Sequence, residues 1–167
     1  MLRTAALAFL LGLAASASPL PEIRQMYARL SAAAEIKYVD ALFSLQAPDF
    51  EAFSPDHQRV DLSLQHDRYE QLLRPALVCA LTTEVLAFRE EPKVAICRVR
   101  QSLRWEQVDP GAHKLIVRTV ETLADDYWVR RKVGWRIRAC QVLSQELTTR
   151  EGGLGTIVTP PKPRPSK

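Results

Sequence analysis

The stretch ADDYWVRRKVGWRI, residues 124–137, decides the fold of this chain. Strand-forming Tyr127, Trp128 and Val129 lead up to Arg130, the run breaks at Val133-Gly134, and apolar and polar residues alternate from Trp135. That is the signature of two antiparallel strands joined by a tight turn. With Val133-Gly134 as a two-residue turn, positions 132 and 135 pair, and even residues of the first strand share a face with odd residues of the second. Upstream, Pro110-Gly111 reads as another two-residue turn, so odd residues before it share a face with even residues after it. Both registers select the same face: Cys97, Val99, Leu103 and Trp105, then Ile116, Val120, Ala124 and Trp128, then Trp135, Ile137, Ala139 and Leu143. A one-residue slip would scatter this set, so agreement between two turns supports both.

The opposite face carries Arg98, Arg100, Arg104, Glu121, Asp125, Arg136 and Arg138, with Leu123, Tyr127 and Val142 among them. The register sets Arg100 opposite Glu121, an expected cross-strand ion pair. Four strands are predicted, at about 78–89, 93–107, 113–131 and 135–148, with Glu90-Glu91 as the first turn. Short separators make them an antiparallel meander.

Before the meander the period changes to that of helices. Pro21 suits a first helical turn, and Ile23, Met26, Tyr27 and Leu30 share one face of a first helix. Ile36, Val39, Leu42 and Phe43 form the apolar side of a second. Residues 47–53 read as a short strand and Ser54-Pro55-Asp56 as a turn. Asp67 with Glu70 three residues on has capping-box spacing, which places a third helix there, with Tyr69, Leu72 and Leu73 on its apolar face.

The ends differ from this domain. Met1-Leu2-Arg3, an apolar run from Ala5 to Ala15 and small residues at Ala15 and Ala17 form the pattern of a secretory signal, too short to span a bilayer. Export, periplasmic or extracellular, is therefore expected, with no membrane attachment after cleavage. Residues 151–167 are rich in glycine and proline and are expected to be a disordered tail. The net charge of +4 includes Arg3 of the leader and a tail surplus of two, leaving about +1 on residues 18–150. Such a domain has no basic footprint for nucleic acid.

The chain has three cysteines, Cys79, Cys97 and Cys140. The register puts Cys97 on the apolar face and Cys79 and Cys140 on the other, two strands apart, so no intrachain disulfide is expected. His57, His66 and His113 lack metal-site spacing, and Asp56, His57 and Asp61 read as a solvated turn. No metal is expected. The absence of GxSxG, P-loop and GxGxxG patterns gives no cofactor either.

Helices followed by a long meander ending in a Gly-Trp hairpin resemble the nuclear transport factor 2-like superfamily, also called SnoaL-like or cystatin-like. The residues carrying the resemblance are Tyr27-Ala28-Arg29-Leu30, Val39-Asp40-Ala41-Leu42-Phe43, Pro48-Asp49-Phe50, Asp126-Tyr127-Trp128 and Gly134-Trp135-Arg136-Ile137. It implies an α+β fold in which a curved, cone-shaped antiparallel sheet wraps around three N-terminal helices over a pocket. Within that superfamily, Tyr27 resembles the oxyanion-holding tyrosine of the ketosteroid isomerase branch and Asp126 its protonated acid. The position of that branch's base falls on Ser54, a poor base, leaving Asp49 and Asp56 as the nearby carboxylates.

The residues alone also single out Asp126, because a carboxyl on an apolar face must be neutral or strongly hydrogen-bonded. Glu84, Gln101, Arg118, Thr122 and Gln141 are the other polar residues predicted on that face, Gln141 directly opposite Asp126. Convergent polar groups in an apolar cavity describe a small-molecule site, with Gln101, Arg118, Thr122, Trp128 and Gln141 as its ligand-binding residues. Three functions follow as expectations. One is binding of a small apolar ligand. Another is acid–base chemistry on a carbonyl compound, with Asp126 and Tyr27 as donors and Asp49 or Asp56 as base. The third is a homodimer or interaction module formed through Leu123, Tyr127 and Val142 on the outer face.

Overall fold

The computed structural model describes residues 18–109 and 111–152. The expected signal sequence and nearly all of the expected tail lie outside them. The order is α1 (Leu20–Glu35), α2 (Val39–Phe43), β1 (Gln46–Phe53), α3 (Leu62–Leu73), β2 (Val78–Glu91), β3 (Val94–Asp109), β4 (Lys114–Arg131) and β5 (Gly134–Gly152). The α+β architecture matches the expectation, with one correction. The sheet is mixed, in the order β1-β5-β4-β3-β2, because β1 pairs parallel to β5 beside the antiparallel β2–β5 meander.

Helix α1 buries Ile23, Tyr27, Leu30 and Ala34, a stripe at helical spacing. It stops where Lys37 takes a left-handed conformation, φ 57°. There the Lys37 and Tyr38 amides donate back to Ala34 and Ala33 carbonyls, which satisfies carbonyls left open by the ending helix. Helix α3 starts earlier than expected. Its cap is Asp61, not Asp67, and the Asp61 carboxylate accepts from the Ser63 and Leu64 amides at 3.0 and 3.3 Å. A side chain that accepts two otherwise orphaned amides outweighs the downstream capping-box pattern.

All three meander turns differ from those expected. Glu91 pairs with Val94, Asp109 with Lys114 and Arg131 with Gly134. The turn residues are therefore Pro92-Lys93, residues 111–113 among those described between Asp109 and Lys114, and Lys132-Val133. Each displacement moves the pairing by an even number of positions, so the buried face survives near every turn. The partners do change. Arg98, not Arg100, meets a carboxylate on β4, binding Asp125 through two bonds of 2.8 Å. Arg100 pairs with Glu84 at 3.1 Å, which corrects the expected Arg100–Glu121 pair.

β-Bulges cause the larger departures. An extra residue on β2, between Val85 and Ala87, turns the strand over. Beyond it Cys79 faces inward, 4% exposed, and Glu84 faces outward. A second bulge admits Arg138 on β5 opposite the step from Tyr127 to Trp128. Beyond that bulge Asp126 pairs with Cys140, and Gln141 pairs with Asp125. Cys140 and Val142 therefore face the interior, the reverse of their expected side. A third irregularity follows between Leu123 and Ala124. All three cysteines are free, and all three face the interior, so the separation by face argued from the sequence does not hold.

The core divides in two. One part gathers Ile23, Tyr27, Leu30, Phe50, Val99 and Trp128 under α1. The other gathers Ala34, Val39, Leu73, Cys79, Leu103 and Trp105 under α2 and α3. Among the described residues, no helix is long and apolar enough to cross a membrane.

Candidate functional site

Asp126 is the one fully buried polar or charged side chain among the described residues, 4% exposed. Its position follows from alternation along β4: Ala124, Asp126 and Trp128 point inward, Asp125 and Tyr127 outward. Cys97 of β3 and Cys140 of β5 are its pairing partners on either side, so a carboxyl sits between two thiols in one row across the sheet.

Helix α1 supplies the hydroxyl that meets this carboxyl. Tyr27 Oη donates to Asp126 Oδ2 at 2.7 Å. Trp128 Nε1 donates to Tyr27 Oη at 2.9 Å, with the two rings edge to face at 5.2 Å. An indole N–H can only donate. The tyrosine oxygen is therefore the acceptor there, and its single proton goes to Asp126.

Burial pushes the Asp126 carboxyl up to about 6 from 3.8, opposed by hydrogen bonding from Tyr27 and Cys140. Burial, followed by the charge of Asp126, raises the Tyr27 hydroxyl far above its usual range. The same causes raise the Cys140 thiol strongly and bring Cys97 to about 12. At neutral pH the thiols are protonated and unreactive, and Asp126 is the group in this cluster that titrates near neutrality.

Asp126 and Cys140 stand in the wall of a cavity of about 170 Å³ between the sheet and the helices. Its apolar lining includes Leu30, Leu42, Phe50, Leu81, Leu103 and Val142. Gln46, Gln65, Tyr69 and Gln101 add polar groups. Gln65 Oε1 is buried without a hydrogen-bonding partner. No lysine, arginine or histidine lines this cavity among the described residues.

Of the residues expected at a ligand site, the structure brings Asp126 and Gln101 to the cavity. Tyr27 stands behind Asp126 instead of facing the cavity, because its hydroxyl is spent on the carboxyl. Trp128 is fully buried behind Tyr27. Gln141 leaves the site because the Arg138 bulge turns it away. Its amide donates to Ser54 O and Val142 O, each at 2.8 Å, and its Oε1 accepts from His57 Nδ1 at 3.1 Å, so it pins the loop after β1. Thr122 accepts from Gln145 at 3.2 Å, and Arg118 lies opposite Trp105; neither lines the cavity. Glu84 is outside, with Arg100.

The two carboxylates considered as bases are also elsewhere. Asp49 is exposed and bound by Arg131 at 2.6 and 2.8 Å, which holds it below its usual range. Asp56 is exposed, accepts from the Ser54 hydroxyl and is likewise lowered. Arg131 and, at 3.5 Å, Arg138 hold Asp49, the Ser54 hydroxyl holds Asp56, and neither carboxylate lines the cavity.

Gln46, Gln65, Tyr69 and Cys140 were missed from the sequence. Gln65 and Tyr69 had a signal: with Asp61 as cap, Leu62, Gln65, Tyr69 and Leu73 form one helical stripe. Cys140 had none, since only the bulge brings it inward.

The sequence matches no protein-family model and no curated protein. The structure does match solved ones. A conserved protein from Planctomyces limnophilus aligns with a TM-score of 0.60 at 17% identity, over 74% of this chain and 95% of that one. A type 2 hexachlorocyclohexane dehydrochlorinase aligns at 0.58 and 13% identity, over 86% and 94%. A nuclear transport factor 2-like protein from Cytophaga hutchinsonii aligns at 0.53 and 13% identity, over 76% and 98%. The fold is the nuclear transport factor 2-like fold, and a fold alone assigns no chemistry.

Proposed function

We propose that this chain binds a small, mostly apolar organic ligand in the cavity between sheet and helices, with Asp126 as its polar anchor. The observation that carries this reading is that Asp126, the one fully buried charged side chain among the described residues, lies in the wall of a cavity and not in a filled core. A cavity of about 150 Å³ is enough to take benzene, so this one suits a single ring with a short substituent. The test is thermal stabilisation of the protein by a panel of single-ring compounds, repeated in Val142→Phe to fill the cavity. Stabilisation of wild type that disappears in the filled variant supports the reading. Stabilisation that survives filling places binding elsewhere and overturns it.

An acid–base enzyme is the second reading, favoured by the carboxyl near 6 facing that cavity. The roles differ from those expected from the sequence. Tyr27 has no proton to offer a substrate, so Asp126 acts alone as a base on an acidic C–H. The dehydrochlorinase among the structural matches is consistent with such chemistry. Exchange of deuterium into a small bound ketone, lost in Asp126→Asn, is the expected result; exchange equal in the variant sinks it.

We also infer export and dimerisation as working expectations. The N-terminal signal pattern supports the first, and a chain that stays in the cytoplasm with its leader uncleaved counts against it. Leu123 and Tyr127 on the outer sheet face support the second, without Val142. A monomer by light scattering at tens of micromolar counts against that.

A further inference from the structure

We propose that the cavity selects a single-ring organic ammonium, held by the Asp126 carboxylate through its N–H groups with the ring against the apolar wall. This ligand class rests on the cavity being a binding site, and it follows from what the polar groups there have left to give.

A carbonyl ligand needs donors. The Tyr27 O–H is committed to Asp126 and the Trp128 N–H to Tyr27, so the donors left to a ligand are the neutral Tyr69 hydroxyl and the glutamine amides of the wall. An anionic ligand needs a cation, and no lysine, arginine or histidine lines the cavity among the described residues. It would instead meet a buried carboxylate. The charged group the wall offers is an acceptor. Asp126 presents a carboxylate with no cationic partner among the described residues. The guanidinium on the neighbouring position, Arg98, lies on the outer face and is taken by Asp125. Gln65 Oε1 is a second acceptor, buried and unpartnered. An unpaired buried carboxylate is costly, and a ligand that brings positive charge and several N–H donors removes that cost. Phe43, Phe50 and Tyr69 in the wall suit an aromatic ring, and their faces also attract a cation.

The same groups fix the pH response. Asp126 is faced by Tyr27 from α1, Cys97 from β3 and Cys140 from β5, with Asp125 beside it on β4. Burial pushes Tyr27, Cys97 and Cys140 far above the range between pH 5 and 7.5, and Asp125 is held outside by Arg98. Loss of the Asp126 charge below about 6 should therefore weaken ammonium binding as pH falls.

The experiment is calorimetric or ligand-detected NMR titration of the full chain with benzylamine, benzyl alcohol and toluene at pH 7.5 and pH 5. At pH 7.5 benzylamine should bind at least about tenfold more tightly than benzyl alcohol, the scale of a hydrogen bond to a charged group. That advantage should shrink at pH 5 and vanish in Asp126→Asn, while the alcohol still binds the variant. Gln65→Leu should weaken benzylamine more than toluene. If the alcohol or toluene binds as well as the amine at pH 7.5, the ammonium class is wrong and the cavity reading stands. If none of the three binds, both fail. Should Asp126→Asn not fold, the pH dependence in wild type decides.

Discussion

Tyr27 and Asp126 are joined by a 2.7 Å hydrogen bond whose direction is fixed from behind, by the indole N–H of Trp128 donating to the tyrosine oxygen. The carboxyl is thereby an acceptor from the protein and keeps its remaining lone pairs for the cavity. In the arrangement expected from the sequence, tyrosine and acid would have stood side by side as two donors. Here they are in series, and only the second reaches the ligand space.

The series makes stability depend on pH in an unusual direction. Asp126 has a folded-state value of about 6 against an ordinary 3.8, so between those values the folded chain holds more protons than the unfolded one. Its contribution is present at low pH and lost as pH rises through about 6. Asp126→Asn removes this loss. Urea unfolding at pH 7.5 should show the variant more stable by about 2–3 kcal/mol, with the gap closing toward pH 4.

Tyr27→Phe should act in the opposite sense. It removes the donor to a buried carboxylate and strands the Trp128 N–H. A loss of about 2–4 kcal/mol is expected at pH 7.5. The loss should be smaller at pH 5, where more of the carboxyl is protonated, and parallel unfolding curves at the two pH values read the difference.

Asp49→Asn and Asp56→Asn should leave ligand affinity and any turnover unchanged. Both carboxylates are exposed and engaged, by Arg131 and by the Ser54 hydroxyl. A tenfold loss in titration with either variant would return them to the site.

Asp61→Ala should lower the melting temperature and loosen α3, since two amides lose their acceptor. Because α3 carries Gln65 and Tyr69 into the cavity, ligand affinity should fall with it, and Asp61→Ser should restore most of both. Circular dichroism melts with and without ligand measure the two together.

Much of this was legible in the sequence for a definite reason. Trp128, Trp135 and Ile137 lie near the last hairpin, where a turn misplaced by an even shift still assigns faces correctly. Asp126 stood out as a carboxyl among apolar neighbours, and Tyr27 by its place on the apolar stripe of α1. Legibility ended at the bulges. No residue around Leu86 or Arg138 announces an extra position in the ladder, so Cys79, Cys140, Val142, Glu84 and Gln141 were each assigned to the wrong side or partner. Asp49 and Asp56 failed differently. Their place near the first strand was right, but partners distant in sequence, such as Arg131, cannot be read from local pattern.

The bulge at Arg138 gives the cavity an editable boundary. Drawing Arg138 into the ladder, with the bulge lost and the residue kept, would exchange Cys140 and Val142 for Ala139 and Gln141 without changing any amino acid, whereas deleting Arg138 would leave Cys140 opposite Asp126. Moving or losing a bulge is thus a shorter route to a different pocket lining than several point substitutions, because it turns over every residue beyond it at once.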